Sequence, residues 1–254
     1  MTTPFIELFI PPQGLIAHRG ASAFAPENTL IAFDMAIQQG ATWIELDVML
    51  THDEELIVYH DNNFKRILQS NRRVAITSYA DIADKDAGSW FDAKYSHARI
   101  PTLTEVIHLA QQTGTSLNIE IKPTPTREAQ TVDRTLSILN KEWRNNQAQV
   151  LISSFSIPVL TQVAQYNQQS KRRFPLALLT NAVQKQDILT ALQLQCVGIH
   201  SNQARCKENT AERVKQVGLY LACYTVNDKI RAHELFAQGV TAIFSDYPRL
   251  MDLL

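Results

Sequence analysis

The chain has 254 residues, of which 45% are hydrophobic and 19% charged, a composition typical of a globular protein and not of a disordered one. Its 24 Lys and Arg residues nearly balance its 25 Asp and Glu residues, so the net charge of -1 provides no general attraction for nucleic acids or anionic membranes. An anionic ligand would therefore need a local binding site.

Neither the cysteines nor the N-terminal segment indicates export. Cys196, Cys206 and Cys223 lack the spacing of a disulfide framework or a zinc site and are interpreted as free thiols. The N-terminal segment has no basic start, and its short apolar stretch is interrupted by Glu7. No apolar run approaches the ~20 residues of a membrane span. We therefore expect a cytoplasmic protein without stable membrane insertion.

Short apolar runs alternate with longer helical stretches along the chain. The runs that predict strands are Leu15–Ala17, Trp43–Val48, Ser116–Ile121, Val150–Ser153, Leu176–Leu179, Val197–His200, Tyr220–Tyr224 and Ala242–Ser245. Helical spacing occupies Thr29–Gln39, Thr104–Thr113, Arg127–Leu139, Ala211–Val217 and Lys229–Gln238, with further helical stretches between the middle strands. A glycine ends a helical stretch before a strand at Gly40, Gly114, Gly218 and Gly239.

Eight strand–helix units in a chain of this length predict a (β/α)8 TIM barrel that forms a single domain over residues 1–254. An open doubly wound sheet is the alternative, but the chain lacks the glycine-rich phosphate loop typical of it. Residues 61–100 interrupt the alternation and are too long for an ordinary loop. They are interpreted as a small inserted subdomain between the second and third βα units.

Acidic residues are concentrated on two predicted barrel strands. Glu45 and Asp47 are two residues apart on one strand, and Glu120 and Lys122 on the next, so each pair points to one face. Carboxylates inside a barrel are costly unless they are paired or bound to metal. Three of them on adjacent strands form an oxygen-rich site suited to Ca²⁺ or Mg²⁺, with ion pairs or surface positions as the simpler alternative.

Two histidines follow apolar runs, at the strand ends where barrel active sites form. His18 follows the first strand, and His60 follows the short run Leu56–Tyr59. Two imidazoles on either side of a reacting centre can give and take protons near neutral pH. Arg19 and Lys122 add positive charge, which together with a metal suits an anionic substrate such as a phosphate ester. A structural or exposed position is expected for His97, His108 and His233.

A set of short motifs then runs through the chain from residue 15 to residue 249. They are His18-Arg19-Gly20, Pro26-Glu27-Asn28-Thr29, Glu45-Leu46-Asp47, His60-Asp61, Asp86-Ala87-Gly88-Ser89-Trp90-Phe91, Ile100-Pro101-Thr102-Leu103, Asn118-Ile119-Glu120-Ile121-Lys122, Ser154-Phe155, Thr225-Val226-Asn227 and Ser245-Asp246-Tyr247-Pro248. In this order the motifs resemble those of the glycerophosphodiester phosphodiesterases, the bacterial cytosolic type in particular.

The resemblance implies a role for each candidate residue. Metal ligation falls to Glu45, Asp47 and Glu120, acid/base catalysis to His18 and His60, and phosphate contacts to Arg19 and Lys122. Glu27 is expected beside Arg19 as an orienting group, or else as part of the cap of the helix that follows. Phe155 and Tyr224 are expected to wall the pocket against the glycerol carbons or the leaving group.

The implied reaction is hydrolysis of a glycerophosphodiester to sn-glycerol 3-phosphate and an alcohol such as choline or ethanolamine, with one divalent cation, Ca²⁺ or Mg²⁺. The resemblance suggests that the glycerol 2-hydroxyl attacks first, giving a cyclic phosphate that water opens. Direct attack by water would use the same residues. The alternatives are a lysophospholipase D that acts on lipid-like diesters, a barrel that binds phosphate ligands without turnover, and a metal-dependent isomerase or lyase.

The chain departs from the family pattern in three places. Tyr224 stands where a Trp is frequent, Ala242 where a Gly is usual, and residues 66–68 read Arg-Ile-Leu in place of Arg-Thr-Thr. We expect these changes to affect leaving-group preference and to leave the catalytic set intact.

Overall fold

A computed structural model describes residues 12–124, 126–144 and 148–252 of the chain. All of the apolar runs predicted to be barrel strands form strands. In chain order they are β1 (Gly14–His18), β2 (Trp43–Leu50), β4 (Ser116–Ile121), β5 (Val150–Ser154), β6 (Leu176–Thr180), β7 (Gly198–Asn202), β8 (Tyr220–Tyr224) and β9 (Ala242–Ser245). The additional strand β3 (Leu56–Val58) is the short run that precedes His60.

The eight strands pair in parallel and close on themselves. The order β1-β9-β8-β7-β6-β5-β4-β2 is completed by a pairing of β1 with β2, in which His18 lies beside Glu45. The predicted TIM barrel is therefore confirmed, and the open sheet is excluded because a doubly wound sheet keeps two free edges. Strand β3 pairs with β2 in the antiparallel direction and stands outside the barrel, with Val58 opposite Val48.

Helices connect the strands and cover the outside of the barrel. They are α1 (Leu30–Gln38), α2 (Lys65–Leu68), α3 (Leu103–Thr113), α4 (Glu128–Glu142), α5 (Ile157–Gln169), α6 (Lys185–Gln193), α7 (Thr210–Lys215) and α8 (Lys229–Ala237). Helix α3 shows why the sequence signals work: Thr102 and Glu105 form a capping box at its start, and Gly114 ends it with φ 71°. The caps fix where each helix begins and so how each strand end is presented.

Residues 61–100 stand between β3 and α3, and so separate barrel strand β2 from its helix. They contain α2 and three turns of 3₁₀ helix, at Val74–Ile76, Tyr79–Asp81 and Ala93–Tyr95. Their apolar side chains form a cluster of their own with residues of β2 and β3, comprising Met49, Ile57, Tyr59, Phe64, Ile67, Val74, Ile82, Ala87 and Ile100. This packing holds the segment against the barrel beside the end of β2.

The inside of the barrel contains an apolar layer, which we call the interior layer. It consists of Ile16, Trp43, Leu151, Ala177, Tyr220, Ala222, Ala242 and Phe244, all of them buried. Side chains two residues apart on a strand share a face, so the next inward positions lie nearer the C-terminal ends of the strands. Those positions include His18 above Ile16 and Glu45 above Trp43.

The N-terminal segment that the sequence analysis judged a poor signal peptide includes residues 1–11, which lie outside the described residues. Within the described part of the chain, no helix combines the length and the apolar character needed to cross a membrane. Cys196, Cys206 and Cys223 are all buried and form no disulfide.

Candidate active site

A cavity of about 190 Å³ opens at the C-terminal ends of the barrel strands. It lies directly above the interior layer, which contributes Phe244 to its floor. The other residues that line it are His18, Arg19, Glu45, His60, Asn118, Glu120, Lys122, Ser153, Phe155, Leu179, Tyr224 and Thr225. Eight of the ten residues predicted from the sequence thus surround one cavity, and the other two, Asp47 and Glu27, lie behind its wall.

The three candidate metal ligands converge. Asp47 and Glu120 are paired across β2 and β4, and Glu45 precedes Asp47 by two residues on the same strand face. Glu45, Asp47 and Glu120 each offer a carboxylate oxygen within 4.8 Å of the others. The Oδ1 atom of Asp47 is buried and finds no hydrogen-bond donor among the described residues. An oxygen-only cluster with such an open acceptor fits a hard divalent cation.

Electrostatics in the cluster agree with that fit. Burial raises the pKa of Glu45 well above its ordinary value. The negative charges of Asp47 and Glu120 raise this pKa further, whereas the positive charge of Arg19 lowers it. Burial and the charge of Asp47 likewise raise the pKa of Glu120 to about 7, with Lys122 opposing. Three carboxylates in one buried space repel one another, and a cation among them would remove that cost.

Arg19 ties the cluster together. Its backbone adopts the left-handed conformation (φ 55°), which turns its N–H toward the Oε2 atom of Glu45 at 3.0 Å. Its guanidinium lies 3.2 Å from Asp47 and donates to the Oε1 atom of Glu27 at 2.8 Å. Burial alone would lower the pKa of Arg19, but Asp47, Glu27 and Glu45 outweigh it, so the group stays charged.

Residues 27–29 cap helix α1 and orient charged groups of the site. Thr29 caps α1, since its side chain accepts a hydrogen bond from the backbone N–H of Ala32. Glu27 pairs with Arg19, which is the orienting position expected from the resemblance. Asn28, named above only as part of a motif, donates from Nδ2 to the Oδ2 atom of Asp47 at 2.9 Å. It thereby fixes the orientation of that carboxylate.

Lys122 follows β4 and reaches back over the carboxylates. Its Nζ atom lies 3.4 Å from Oε1 of Glu120 and 3.8 Å from Oδ1 of Asp47. Burial alone would raise the pKa of Asp47, but Arg19, Lys122 and His60 hold it below its ordinary value. Lys122 and Arg19 place two positive groups beside the cavity, on an otherwise acidic wall.

His18 is oriented by a carboxylate that follows β9, the strand next to β1. Its Nδ1 atom lies 2.7 Å from Oδ1 of Asp246, which follows β9. Ser22 and Asn227 donate to the same carboxylate, at 2.9 and 2.6 Å. Burial alone would raise the pKa of Asp246, but its hydrogen bonds with His18, Asn227 and Ser22 lower it to about 2. A carboxylate at Nδ1 keeps the proton of the neutral ring there and leaves Nε2 as the free nitrogen.

His60 has a similar arrangement built from its own neighbour. Its Nδ1 atom lies 2.7 Å from Oδ1 of Asp61, and both residues follow β3. Burial lowers the pKa of His60 below its ordinary value, although Asp47 works in the opposite direction. A histidine that is neutral at pH 7 can accept a proton as a general base.

His97, His108, His200 and His233 lie away from the cavity. His97 and His233 are exposed, and His108 lies 3.4 Å from Glu142 on the outside of the barrel. His200 is buried on β7, where its Nε2 atom lies 2.8 Å from the hydroxyl of Tyr220.

Two aromatic rings form one side of the cavity. Phe155, after β5, is 46% exposed and meets Tyr224, at the end of β8, with ring centres 5.9 Å apart and nearly perpendicular planes. The hydroxyl of Tyr224 donates to the backbone carbonyl of Thr180 at 2.9 Å. The polar group that Tyr224 adds is thus engaged within the barrel, and the residue also lines the cavity.

Sequence reasoning assigned no individual role to several residues at or beside the site. Asp246 and Asn28 were noted only as parts of motifs, and Arg66 only as part of a departure from the family pattern. Asn118 also lines the cavity, where its Nδ2 atom donates to Ser153 at 3.0 Å and its buried Oδ1 atom has no partner in the described ranges. For Asn118 a signal was available, because its spacing of two from Glu120 puts it on the same face.

Comparison with known proteins assigns the chain to a family. The model of the glycerophosphoryl diester phosphodiesterase family matches residues 18–250. A glycerophosphodiester phosphodiesterase of Bacillus subtilis is 31% identical over 92% of this chain and 84% of its own length. One from Caldanaerobacter subterraneus is 32% identical over 93% of this chain and 95% of its own length.

A solved structure is similar in fold as well as sequence. It is a phosphodiesterase from Oleispira antarctica in complex with the product sn-glycerol-3-phosphate, with a TM-score of 0.90 and 32% identity. The alignment covers 98% of this chain and 99% of that one. A glycerophosphodiester phosphodiesterase from Agrobacterium tumefaciens aligns with a TM-score of 0.78 and 26% identity over 94% of this chain.

Proposed function

Because the chain belongs to the glycerophosphoryl diester phosphodiesterase family, we propose that its cavity hydrolyses glycerophosphodiesters to sn-glycerol 3-phosphate and an alcohol. The observation that carries this proposal is one cavity that brings together a cluster of three carboxylates, two cationic side chains and two carboxylate-oriented histidines. The product named for the Oleispira antarctica structure supports glycerol 3-phosphate as the part of the substrate that the cavity holds.

Glu45, Asp47 and Glu120 would hold one divalent cation, Ca²⁺ or Mg²⁺. The open Oδ1 acceptor of Asp47 and the mutual repulsion of the carboxylates support this assignment. A cation bound there supplies Lewis-acid stabilisation of the charge that develops on the phosphoryl oxygens. Asn28 and Arg19 donate hydrogen bonds to two of the ligands, Asp47 and Glu45, and so help to orient them.

Arg19 and Lys122 bind the phosphate. A phosphodiester carries one negative charge, and both side chains line the cavity with at least one N–H group available beyond their carboxylate contacts. The charge on the phosphoryl oxygens grows toward the transition state, where fixed positive groups in a partly dry site stabilise it most. The two residues approach from β1 and β4, which would hold the phosphate between them.

His18 and His60 exchange the protons of the reaction. Each ring has its Nδ1 atom on a carboxylate, so each presents Nε2 for transfer. One ring takes the proton of the attacking hydroxyl, while the other protonates the oxygen of the leaving alcohol. The low pKa of His60 supports it as the base in one of the two half-reactions.

The attacking group in the first step would be the 2-hydroxyl of the substrate's own glycerol. An attached hydroxyl reacts at high effective concentration because its orientation is already set. Its oxygen forms the new bond to phosphorus, the alcohol leaves with a proton from one histidine, and a five-membered cyclic phosphate results. Water then opens the ring with the histidine roles reversed, giving glycerol 3-phosphate.

The alternatives make different demands on the molecule. A lysophospholipase D would gain from an apolar face on residues 61–100, yet in the described part of that segment only Ile76 is a large exposed hydrophobic residue. A barrel that binds phosphate without turnover has no need of two histidines, each paired with a carboxylate. We therefore favour a water-soluble diester as the substrate.

Two measurements test the proposal. Turnover of glycerophosphocholine should disappear in excess EDTA and return when Ca²⁺ or Mg²⁺ is added, and full activity in the chelator would contradict the metal assignment. A 2-deoxy analogue of the same diester should bind as a competitive inhibitor and scarcely turn over. If it is hydrolysed at the rate of glycerophosphocholine, water is the first nucleophile and the cyclic route is wrong.

A further inference from the structure

Arg66, on the short helix α2 outside the barrel, contacts two carboxylates that come from different parts of the chain. Its Nη1 and Nη2 atoms donate to Oε2 and Oε1 of Glu27, at 2.7 and 2.8 Å. Its Nε and Nη2 atoms donate to Oδ2 and Oδ1 of Asp61, at 2.8 and 3.2 Å. One planar guanidinium therefore fixes the orientation of both carboxylates.

Each of those carboxylates has a second partner at the cavity. Asp61 lies 2.7 Å from the Nδ1 atom of His60. Glu27 accepts a hydrogen bond from Arg19 at 2.8 Å. Asp61 therefore links Arg66 to His60, a proposed proton-transfer group. Glu27 links Arg66 to Arg19, a proposed phosphate ligand.

The position of Arg66 is itself restrained. The guanidinium lies over the ring of Trp90, with its central carbon 5.4 Å from the ring centre. Trp90 is anchored through its indole N–H, which donates to the carbonyl of Ala87 at 2.9 Å. Arginine stacks on aromatic rings and forms a rigid fork of donors, so this setting reduces the freedom of Arg66 further.

A single exposed ion pair contributes little to stability, but this arrangement differs in two respects. Glu27 is only 13% exposed, and the contact with Arg66 uses both of its oxygens. Burial alone would raise the pKa of Glu27 and of Asp61, yet Arg66 and their other partners hold both below the ordinary values. Both groups therefore stay charged acceptors.

We propose that Arg66 is a positioning residue that aligns His60 and Arg19 for the reaction through Asp61 and Glu27. The proposal rests on the roles proposed above for His60 and Arg19. It explains why residues 61–100 matter to a barrel active site: the segment carries the one guanidinium that links its own His60–Asp61 pair to the loop after β1. Loss of the link should reduce the rate of the chemical step more than the affinity for substrate.

The first test is Arg66→Met, which removes the fork and keeps much of the apolar stem. We expect kcat for glycerophosphocholine to fall by about 10- to 100-fold, with a smaller change in KM. Arg66→Lys should recover little of this loss, because one ammonium cannot bridge both carboxylates as a planar fork does. Arg72→Met is the matched control, since Arg72 belongs to the same segment and its guanidinium pairs, among the described residues, with exposed Asp81 alone. It should keep full activity.

A double-mutant cycle provides a measurement that a merely structural role would not change. If Arg66 acts through Asp61, then Arg66→Met should cost far less in kcat when Asp61→Asn is already present. Additive losses would overturn the proposal, as would an effect of Arg66→Met confined to KM. A loss of kcat that only follows a loss of thermal stability, with Arg72→Met affected equally, would overturn it too.

Nuclear magnetic resonance of the histidine rings separates this proposal from the function it rests on. The ring nitrogens of His60 should change chemical shift in Arg66→Met and stay unchanged in Arg72→Met, while those of His18 stay constant in both. If His60→Ala is slow but Arg66→Met leaves both the His60 signals and kcat unchanged, the link is wrong and the role of His60 stands. If His60→Ala retains the wild-type rate, the proposed role of His60 is itself wrong, and the alignment proposal falls with it.

Discussion

Along several barrel strands the inward-facing positions change from apolar to ionisable within two residues, about 7 Å of strand. Strand β1 passes from Ile16 to His18, and the end of β9 passes from Phe244 to Asp246. The interior layer and the cavity above it are thus built on the same strands and the same face. They differ in what each side chain meets: packed apolar neighbours below, and charged partners and an opening above.

Histidine shows what this difference does to one residue type. His200, at the level of the interior layer, contacts the ring of Phe244 at 4.9 Å and the hydroxyl of Tyr220, and burial lowers the pKa of His200 to about 3. His18, one level higher on β1, and His60, which follows β3, each pair with a carboxylate. A buried apolar setting suppresses the charged form of the ring, whereas a carboxylate at Nδ1 orients the ring and leaves Nε2 as the free nitrogen. The groups that each ring contacts therefore separate a packing histidine from a reactive one.

The largest expected effect comes from removing a histidine at the cavity. His18→Ala and His60→Ala should each lower kcat for glycerophosphocholine by about 100- to 10,000-fold, the usual range for a lost general acid or base. Substrate binding should change less, because neither ring is the main phosphate contact. Steady-state kinetics with purified variants measures both quantities.

His108→Ala and His97→Ala are the matched controls on the outside of the barrel, and their kcat should stay within a few-fold of the wild type. A near-normal rate for either cavity variant would remove that histidine from the mechanism. It would also contradict the distinction between a packing histidine, such as His200, and the reactive histidines at the cavity.

A substitution that disturbs the packing of the interior layer should change the stability of the protein and leave catalysis nearly unchanged. Gly198, on β7, lies where an added Cβ would stand 2.3 Å from the ring of Tyr220. That ring is held by the hydrogen bond of its hydroxyl to His200 and cannot move aside without cost. We expect Gly198→Ala to lower the free energy of unfolding by about 1–3 kcal/mol, the usual cost of overpacking. Denaturant titration measures the change, and kcat should be nearly constant.

Tyr220→Leu supplies the control background for that prediction. With the ring gone, the added methyl should cost much less, because contacting residues show non-additive effects. An equal loss in both backgrounds would mean that the ring is not what excludes a side chain at position 198.

The sequence predicts the barrel well because its signals are local. Apolar runs such as Trp43–Val48, and glycines at helix ends such as Gly114 (φ 71°), set strand and helix bounds within a few residues of those observed. Closure follows from the number of units. The antiparallel pairing of β3 with β2 could not be predicted, since a three-residue strand has no distinctive pattern.

The site is predictable in its principal residues and not in its links. Spacing of two on a strand indicates that Glu45 and Asp47 share a face, and pairing across β2 and β4 then adds Glu120. The contact of Asp246 with His18 joins residues 228 positions apart, and that of Arg66 with Glu27 joins residues 39 apart. Such pairs depend on barrel closure and on how residues 61–100 pack, which no local pattern specifies.

A smaller effect is expected at Tyr224, which lies at the cavity on the same strand as Tyr220 of the interior layer. Tyr224→Trp should lose the hydrogen bond to Thr180 and move the wall that faces Phe155. We expect the ratio of kcat/KM between choline and ethanolamine diesters to change by about tenfold or less, since the reshaped pocket alters apolar contacts alone. Affinity for the divalent cation should stay constant.

Tyr224→Phe is the control, because it removes the hydroxyl and keeps the ring against Phe155. It should preserve selectivity if the ring forms the wall. Unchanged selectivity in Tyr224→Trp across choline, ethanolamine and lipid-like diesters would mean that Tyr224 only packs between its neighbours.

The last expected effect is the pH dependence of stability caused by His200. Its pKa is about 3 in the folded protein because it is buried, against about 6.5 in an unfolded chain. Between these values the unfolded chain binds one more proton, so the free energy of unfolding falls as the pH decreases from about 6.5 toward 3, by up to about 1.4 kcal/mol per pH unit.

His200→Asn cannot bind that proton. It should lose stability at pH 7 through poorer packing, and then show a shallower decline with acid than the wild type. Denaturant titrations at pH 7, 6 and 5 measure both slopes, and His108→Asn, at an exposed position, should follow the wild type. Parallel slopes for His200→Asn and the wild type would mean that the ring is protonated, or accessible to water, at the level of the interior layer.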